Sequence, residues 1–403
     1  MKNVNILLTI SFLKGLYFYI PILTFFFLSK NIPIETVVIA QAIYSLFTFI
    51  GEIPTGILAD KLGQKTSIVL GFMIEAIAII YIVLFPTVVG VYGAFAIRGI
   101  SSSFLSGSQE SLLFDSLTKE NKQNIFQKIY SQFLSNEQLG LILATFIAGL
   151  TLHFFGSQSF IPLIIATSVS MLIAGILAIN LESSTVLPTT STSQNNLSLI
   201  KNSFGLIFGN DTILNLTLVG CLTLCGKYFL QGVYAPYFQL SGINDFWIGA
   251  SLSIGLLLNT LIMRYIYLIE KHFTLEKILL ALNLFLGFGY ILMSSSQNPY
   301  ILVLIFVLLN GVFGLQQPMI SDYINNHASS LIRSTVLSGI SFFQRMFQLV
   351  ITLVLGYIVH NFGVTNSLLA QGIYLITGII VGYYLLVKCG CVYKVTKEKT
   401  TTL

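Results

Sequence analysis

Long apolar runs separated by short polar segments dominate the chain. A bilayer core about 30 Å thick is crossed by roughly 20 helical residues, and backbone groups in lipid must be satisfied within the element itself. The period-two alternation typical of membrane β-barrels is missing from these runs. We therefore predict an all-α membrane protein with twelve transmembrane helices, called spans 1 to 12, near 6–28, 37–59, 66–85, 88–114, 129–152, 161–181, 212–234, 247–269, 278–295, 300–320, 334–359 and 367–387.

Composition and charge placement support this interpretation and orient the chain. The sequence is 55% hydrophobic and 9% charged, whereas soluble domains carry about 25% charged residues. With a cytoplasmic N-terminus, the outer loops hold only Lys30, and the positive-inside rule then predicts that both termini are cytoplasmic. The net charge of +5 follows from this bias and requires no nucleic acid. The inner loops and tails hold Lys2, Lys61, Lys65, Lys119, Lys122, Lys128, Lys201, Lys271, Lys277, Arg333, Lys388, Lys394, Lys397 and Lys399.

The chain divides into two halves of six spans. The segment after span 6, "ESSTVLPTTSTSQNNLS", is rich in Ser, Thr and Asn, as expected of a solvated linker. The predicted organisation is an N-terminal bundle (1–181), a cytoplasmic linker (182–205), a C-terminal bundle (206–387) and a cytoplasmic tail (388–403).

An internal repeat relates the two halves. A shift of 207 residues aligns 107–156 with 314–363 without gaps and gives ten identities in fifty positions. Parallel repeats of two six-helix halves recur in transporters, with the substrate bound between the halves. The identities are Gly107/Gly314, Gln109/Gln316, Asp115/Asp322, Ile125/Ile332, Ser131/Ser338, Thr145/Thr352, Gly149/Gly356, His153/His360, Phe155/Phe362 and Gly156/Gly363.

A charged run, "GILADKLGQK", lies between spans 2 and 3. Gly56, Asp60, Lys61, Gly63 and Lys65 match the pattern Gly-x-x-x-Asp-Arg/Lys-x-Gly-x-Lys/Arg. The run resembles the signature of the major facilitator superfamily, and "FAIRGISSS" in span 4 is similar to that family's Arg followed by Gly. "GEIPTGILAD", "SGSQESLLFDSL" and "IRSTVLS" resemble a bacterial branch of drug exporters. The resemblance implies the major facilitator fold, with two pseudo-symmetric six-helix bundles.

The resemblance also implies a latch on the cytoplasmic side. Gly56 would let span 2 approach a neighbour closely, and Asp60 would face the positive N-terminal end of span 11. Lys61 or Lys65 would pair with Asp115. The alternative is an ordinary positive-inside loop. The second half departs from the pattern, since "MRYIYLIEKH" keeps neither glycine.

Ionisable residues at membrane depth mark function or a pair. Spans 1, 4, 7 and 10 surround the cavity in the family, which places Lys14, Arg98 and Lys227 there, together with Gln316 and Gln317 of span 10. Such a cation surplus favours an anionic or amphiphilic substrate. The alternative is that each cation pairs with a carboxylate or reaches towards a surface. For Arg98, the carboxylate of Glu75 in span 3 lies at a comparable depth.

Four further charges predict contacts between the bundles. In the family, span 2 packs on span 11 and span 5 on span 8, which brings Glu52 to Arg345 and Glu137 to Arg264; simple packing is the alternative. Span 1 has no acidic residue and span 5 lacks the proline-containing signature of drug antiporters, so proton coupling rests on Glu75, Glu52 or Glu137.

The sequence predicts a monomeric secondary transporter of the bacterial inner membrane. It would export a small amphiphilic or drug-like compound by proton antiport, with no cofactor and no metal. Import or symport of a small anionic nutrient is the alternative, and a transporter-like sensor is a further one. The four histidines are scattered and no nucleotide-binding GxxxxGK[ST] motif is present, which argues against an enzyme or an ATP-driven pump.

Overall fold

The residues that the structure describes fold almost entirely into α-helices. The computed structural model describes residues 2–122, 125–182, 209, 211–270, 272–316, 318–320, 323 and 333–388, without the side chains of 53, 57, 60, 127, 267, 333–339, 341 and 342. No strand occurs in these ranges. The helices are α1 (Lys2–Gly15), α2 (Leu23–Ser29), α3 (Ile34–Leu62), α4 (Gln64–Leu84), α5 (Val88–Leu105), α6 (Ser108–Lys119), α7 (Phe126–Phe155), α8 (Phe160–Ala178), α9 (Asp211–Leu240), α10 (Asp245–Glu270), α11 (Leu275–Ser295), α12 (Pro299–Val312) and α13 (Arg333–Lys388), which is kinked at the non-helical Gly363.

Most predicted spans correspond to helices long and apolar enough to cross a membrane. Among the described residues there are eight such stretches, and two of them, Lys128–Ala178 and Phe343–Lys388, hold two predicted spans each. The remaining predicted spans, 1 and 10, contain shorter helices. The all-helical, multi-pass prediction is therefore confirmed, while the full count of twelve stays a prediction.

Three spans that the hydropathy pattern predicted to be continuous are interrupted. Span 1 ends as a helix at Gly15 and resumes at Leu23, because Pro21 lacks an amide proton and disfavours helical geometry in the residue before it. Span 4 breaks between α5 and α6, and span 10 stops at Val312. Broken spans in transporters commonly border the binding site.

The internal repeat is visible in the backbone. Gly107 and Gly314, which the repeat aligns, have φ angles of 75° and 130° at the breaks of spans 4 and 10. Gly156 and Gly363 form a second aligned pair, with φ angles of 55° and 78° at the ends of spans 5 and 11. Glycine is the residue that adopts these angles without steric cost. The shared backbone angles support a common structural plan for the two halves.

Helix packing divides the chain into two units. Unit 1 comprises Met1–Asn196, Phe229–Ile254 and Leu349–Asn361; unit 2 comprises Leu197–Tyr228, Gly255–Gln348 and Phe362–Leu403. Helices α9, α10 and α13 are each divided between the units. The predicted bundle boundaries, the linker and the tail remain predictions, and most of the linker and tail lies outside the described residues.

Within unit 1, α3 and α4 pack on α5, and α1 packs on α7 and α8. Small residues allow the closest approaches. A Cβ at Gly15 would overlap the Glu137 backbone and lie 3.1 Å from the Cα of Gly140. A Cβ at Gly149 would lie 3.0 Å from the Cα of Gly249. These close approaches fix α1 and part of α10 against α7.

Candidate functional site

A buried ion pair lies halfway along α4 and α5. Arg98 Nε lies 2.9 Å from Glu75 Oε1, and the two side chains are 12% and 4% exposed. Arg98 is ten residues beyond Val88 and Glu75 nine residues before Leu84, so both lie about 14–15 Å from the same end of their helices. The structure thus brings together the two residues that depth counting matched.

Aromatic rings surround the guanidinium. Its Cζ lies 5.8 Å from the ring centroid of Tyr17, 5.3 Å from that of Tyr19, 5.6 Å from that of Tyr44 and 5.3 Å from that of Phe95. Rings at this distance attract a cation through their negative faces. We call these four residues the aromatic cage; they hold the Arg98 charge in place from several directions.

One carboxylate oxygen of Glu75 takes two donors. Tyr17 donates to Oε1 at 3.3 Å, the same atom that Arg98 approaches. Oε2 accepts no hydrogen bond from the residues that the structure describes. Tyr17 and Tyr19 come from the break between α1 and α2, so the interrupted backbone delivers polar groups to the ion pair.

A second ion pair joins α1 to α7. Lys14 Nζ lies 3.0 Å from Glu137 Oε2, with the side chains 23% and 31% exposed. Two of the three cations predicted for the cavity, Lys14 and Arg98, are therefore neutralised by carboxylates. The described residues of unit 1 do not show the expected surplus of positive charge, because each of these cations has a carboxylate on a neighbouring helix.

Unit 2 presents an uncharged polar cluster instead. The single hydroxyl proton of Thr223 is shared between Asn283 Oδ1, at 2.9 Å from Oγ1, and Gln316 Oε1, and Asn283 Nδ2 donates to the same Gln316 oxygen at 3.1 Å. The three side chains are 6%, 0% and 4% exposed. We call these residues the amide cluster. Gln316 Nε2 has no partner among the described residues.

The third predicted cation, Lys227, lies one helical turn from Thr223 on α9. It is partly buried, and no ion pair or hydrogen bond of its side chain occurs within the described part of the chain. The predicted span 7 ends at 234, but α9 continues to Leu240. Lys227 is thus about 20 Å from that end of the helix.

The structure locates the charged loop motif but tests little of its role. Gly63 has a φ of 87° and separates α3 from α4. Lys61 is exposed and Lys65 partly buried. The side chain of Asp60 and all of Gln317 lie outside the described residues, so the contact of Asp60 with span 11 stays a prediction.

Two expectations about the loop differ from the structure. No described atom lies within 4 Å of the position that a Cβ at Gly56 would take, so the close helix approach expected there is not found. Asp115 Oδ2 accepts from Gln64 Nε2 at 3.1 Å. Neither Lys61 nor Lys65 pairs with Asp115 among the described residues, because Gln64, at the start of α4, occupies that position.

The predicted contacts between bundles remain predictions. Glu52 and Arg345 belong to different units, as do Glu137 and Arg264. Glu137 already has Lys14 as its partner within unit 1, and Arg264 is exposed.

Sequence reasoning missed the aromatic cage and the amide cluster. Aromatic residues make up 13% of the chain, so their presence alone does not distinguish Tyr44 or Phe95. One usable signal was "GLYFYIP", in which a glycine and a proline bracket Tyr17 and Tyr19 and mark a helix break. Asn283 could have been noted as an amide in the middle of an apolar span.

Comparison with protein families shows to which family the chain belongs. The model of the Major Facilitator Superfamily matches residues 6–345. The chain belongs to the major facilitator superfamily. It is therefore a multi-pass membrane transporter, and the family supports its being no enzyme.

Individual relatives show the same family at low identity. An uncharacterized MFS-type transporter, YxaM of Bacillus subtilis (strain 168), is 22% identical over 391 residues, covering 93% of this chain and 94% of that protein. An uncharacterized transporter of Buchnera aphidicola subsp. Schizaphis graminum is 28% identical over 156 residues, which cover 37% of this chain and 39% of that protein.

Solved structures show the fold. A mutant of the nucleoside transporter NupG superposes with a TM-score of 0.81 at 14% identity, covering 95% of this chain and 98% of that chain. A POT family transporter in complex with 5-aminolevulinic acid has a TM-score of 0.75 at 13% identity, covering 96% of each chain. These structures confirm the major facilitator fold.

Proposed function

We propose that this protein exports a small amphiphilic or drug-like compound across the bacterial cytoplasmic membrane in exchange for protons. Membership of the superfamily supports transport of a small molecule. The observation that carries the proton coupling is the buried pair of Glu75 and Arg98. A carboxylate at membrane depth is costly to keep and commonly marks a proton relay.

The pair supplies a simple coupling step. Deprotonated Glu75 neutralises Arg98, and one of its oxygens remains available to a proton. The oxygen that takes no described donor, Oε2, can accept a hydrogen bond from a polar group of the substrate while Glu75 is deprotonated. Protonation of Glu75 removes the negative charge and this acceptor and displaces the substrate group, and release of the proton restores the site. Proton and substrate thus compete for Glu75, as antiport requires.

Transport in membrane vesicles tests the proposal. Everted vesicles containing the protein are incubated with a panel of fluorescent amphiphiles, and accumulation of each compound inside the vesicles is measured with and without a proton uncoupler. Uncoupler-sensitive accumulation that Glu75→Gln abolishes is expected. Tyr17→Phe is the matched control, because it removes one donor to Glu75 without removing the proton site. Accumulation that survives both the uncoupler and Glu75→Gln would contradict proton coupling through Glu75.

Import or symport of a small anionic nutrient is the second candidate function. The observation that favours it is Lys227, which has no carboxylate partner among the described residues. Right-side-out vesicles with an inward proton gradient distinguish import from export. Uptake of acidic compounds driven by an inward proton gradient, with no extrusion of any amphiphile, would favour import over export.

A further inference from the structure

Lys227 is in a position that demands a partner. It lies near the centre of the 30-residue helix α9, about 24 Å from one end and 20 Å from the other. In a bilayer core about 30 Å thick, a residue near the centre of this helix lies farther from either surface than a four-carbon side chain reaches. An ammonium facing hydrocarbon at that depth is costly, and such residues face the bundle interior or a water-filled cavity.

The surface of α9 around Lys227 is less buried than most of the same helix. Leu224, Lys227 and Tyr228 are partly buried, while most neighbouring positions on the same helix are fully buried. Their spacing of three and four residues places them on one side of the helix. That side is therefore the open face of an otherwise enclosed helix.

The adjoining amide cluster contains one side-chain amide, Nε2 of Gln316, that has no hydrogen-bond acceptor among the described residues. Thr223 is one turn from Lys227 on α9, a separation of about 5–6 Å between Cβ atoms. The oxygens of Asn283 and Gln316 are already occupied by donors of the cluster. Gln316 is 4% exposed, and its Nε2 donates to nothing that the structure describes.

The hydrogen-bonding capacity left in this region is therefore that of donors. Lys227 offers an ammonium and Gln316 an amide N–H, and no described carboxylate pairs with either. A ligand that satisfies both must present acceptors and preferably negative charge. A quaternary cation has no acceptor and would leave both donors unsatisfied.

We propose that Lys227 and Gln316 bind the acidic group of the transported compound, which makes the substrate an amphiphilic carboxylate, phosphate or phosphonate. This inference rests on the proposed transport function and adds the substrate class to it. It contrasts with unit 1, where Arg98 and Lys14 are already neutralised by Glu75 and Glu137.

Protection of Lys227 from acetylation tests the site directly. The purified full-length protein in detergent is treated with an amine-acetylating reagent, and modification of each lysine is followed by mass spectrometry. Benzoate and phenylphosphonate serve as probes, with uncharged benzamide as their matched control. We expect both anions to slow labelling of Lys227 about tenfold, the equivalent of a weak charge-assisted hydrogen bond.

Lys277 is the internal control, since it is exposed at the start of α11; its labelling should not change. Gln316→Leu should reduce the protection that the anions give Lys227. If Lys227 is not labelled at all, or if benzamide protects it equally, the anion site is wrong. Protection by phosphatidylglycerol but by neither soluble anion would indicate a lipid headgroup and would also overturn the proposal.

Transport separates this inference from the proposed function. Among exported amphiphiles, Lys227→Ala should impair acidic compounds selectively, and Lys227→Arg should retain them. Proton-coupled export with an unprotected Lys227 would overturn the anion site alone. Protection of Lys227 in a protein that exports nothing would overturn export while leaving the anion site intact.

Discussion

The two units handle polarity at membrane depth in different ways. Unit 1 contains full charges arranged as pairs, Arg98 with Glu75 and Lys14 with Glu137. In unit 2 the amide cluster is neutral, and Lys227, one turn away, has no carboxylate partner among the described residues. A carboxylate in an ion pair can bind and release a proton, whereas the side chains of the neutral cluster cannot. We therefore assign coupling to unit 1 and recognition of an acidic group to unit 2.

The largest effect should come from breaking the buried pair of unit 1. Arg98→Ala leaves Glu75 buried without its cation, and removing one member of a buried pair costs roughly 3–5 kcal/mol. Transport should be lost and the amount of protein in the membrane should fall. Immunoblotting of membranes together with vesicle transport measures both quantities.

A double variant separates folding from coupling in this pair. Glu75→Gln combined with Arg98→Ala removes both charges, so membrane level should recover while transport stays absent. Arg98→Lys, which keeps the charge but loses the planar fork, should already impair transport. Normal transport by the double variant would make the pair purely structural and end the functional contrast between the units.

This pair also shows how far sequence reasoning reached. Helical rise alone matched the depths of Arg98 and Glu75, because both residues lie in uninterrupted helices. The repeat found in the sequence reappeared as positive φ angles at Gly107 and Gly314, since that backbone conformation restricts the residue type. Regular geometry made both features predictable.

Other features depended on tertiary contacts that no local pattern reveals. The helix breaks were missed because glycine and proline are tolerated in membrane spans and do not end an apolar run. The aromatic cage combines residues from the break after α1 with Tyr44 of α3 and Phe95 of α5, which the sequence separates widely. The hydrogen bond from Gln64 to Asp115, in the place of the expected lysine contact, depends on side-chain geometry that the sequence does not show.

A second, smaller effect should come from the partly exposed pair in unit 1. Lys14→Met removes a charge-assisted hydrogen bond worth roughly 1.5–3 kcal/mol and should lower the melting temperature of the purified protein. Adding Glu137→Gln should recover most of that loss with transport near normal. If the double variant is stable but inactive, this pair also belongs to the coupling machinery.

The amide cluster of unit 2 should respond more weakly to loss of a hydrogen bond. Asn283→Leu removes contacts to Thr223 and Gln316, each worth roughly 1 kcal/mol, and leaves charge unchanged. Thermal unfolding should shift modestly, while the dependence of transport on proton gradient should keep its wild-type form. A changed pH profile in this variant would contradict the assignment of coupling to unit 1.

The smallest effect should come from a pair of unit 1 with one exposed member, which tests whether pairing alone or burial matters. His360 Nδ1 lies 2.6 Å from Glu35 Oε1, and the histidine side chain is 64% exposed while that of the glutamate is 18% exposed. Its repeat-related counterpart, His153, instead packs against Phe246, with the two ring centroids 6.4 Å apart. Exposed ion pairs contribute about 0–1 kcal/mol, so Glu35→Gln should leave both melting temperature and transport nearly unchanged.

His360→Gln should behave in the same way and is the matched control, because it removes the other partner. A large transport defect in both variants, with normal membrane levels, would show that this contact takes part in the transport cycle despite its exposure, and burial would then no longer distinguish the functional pairs of unit 1 from the others.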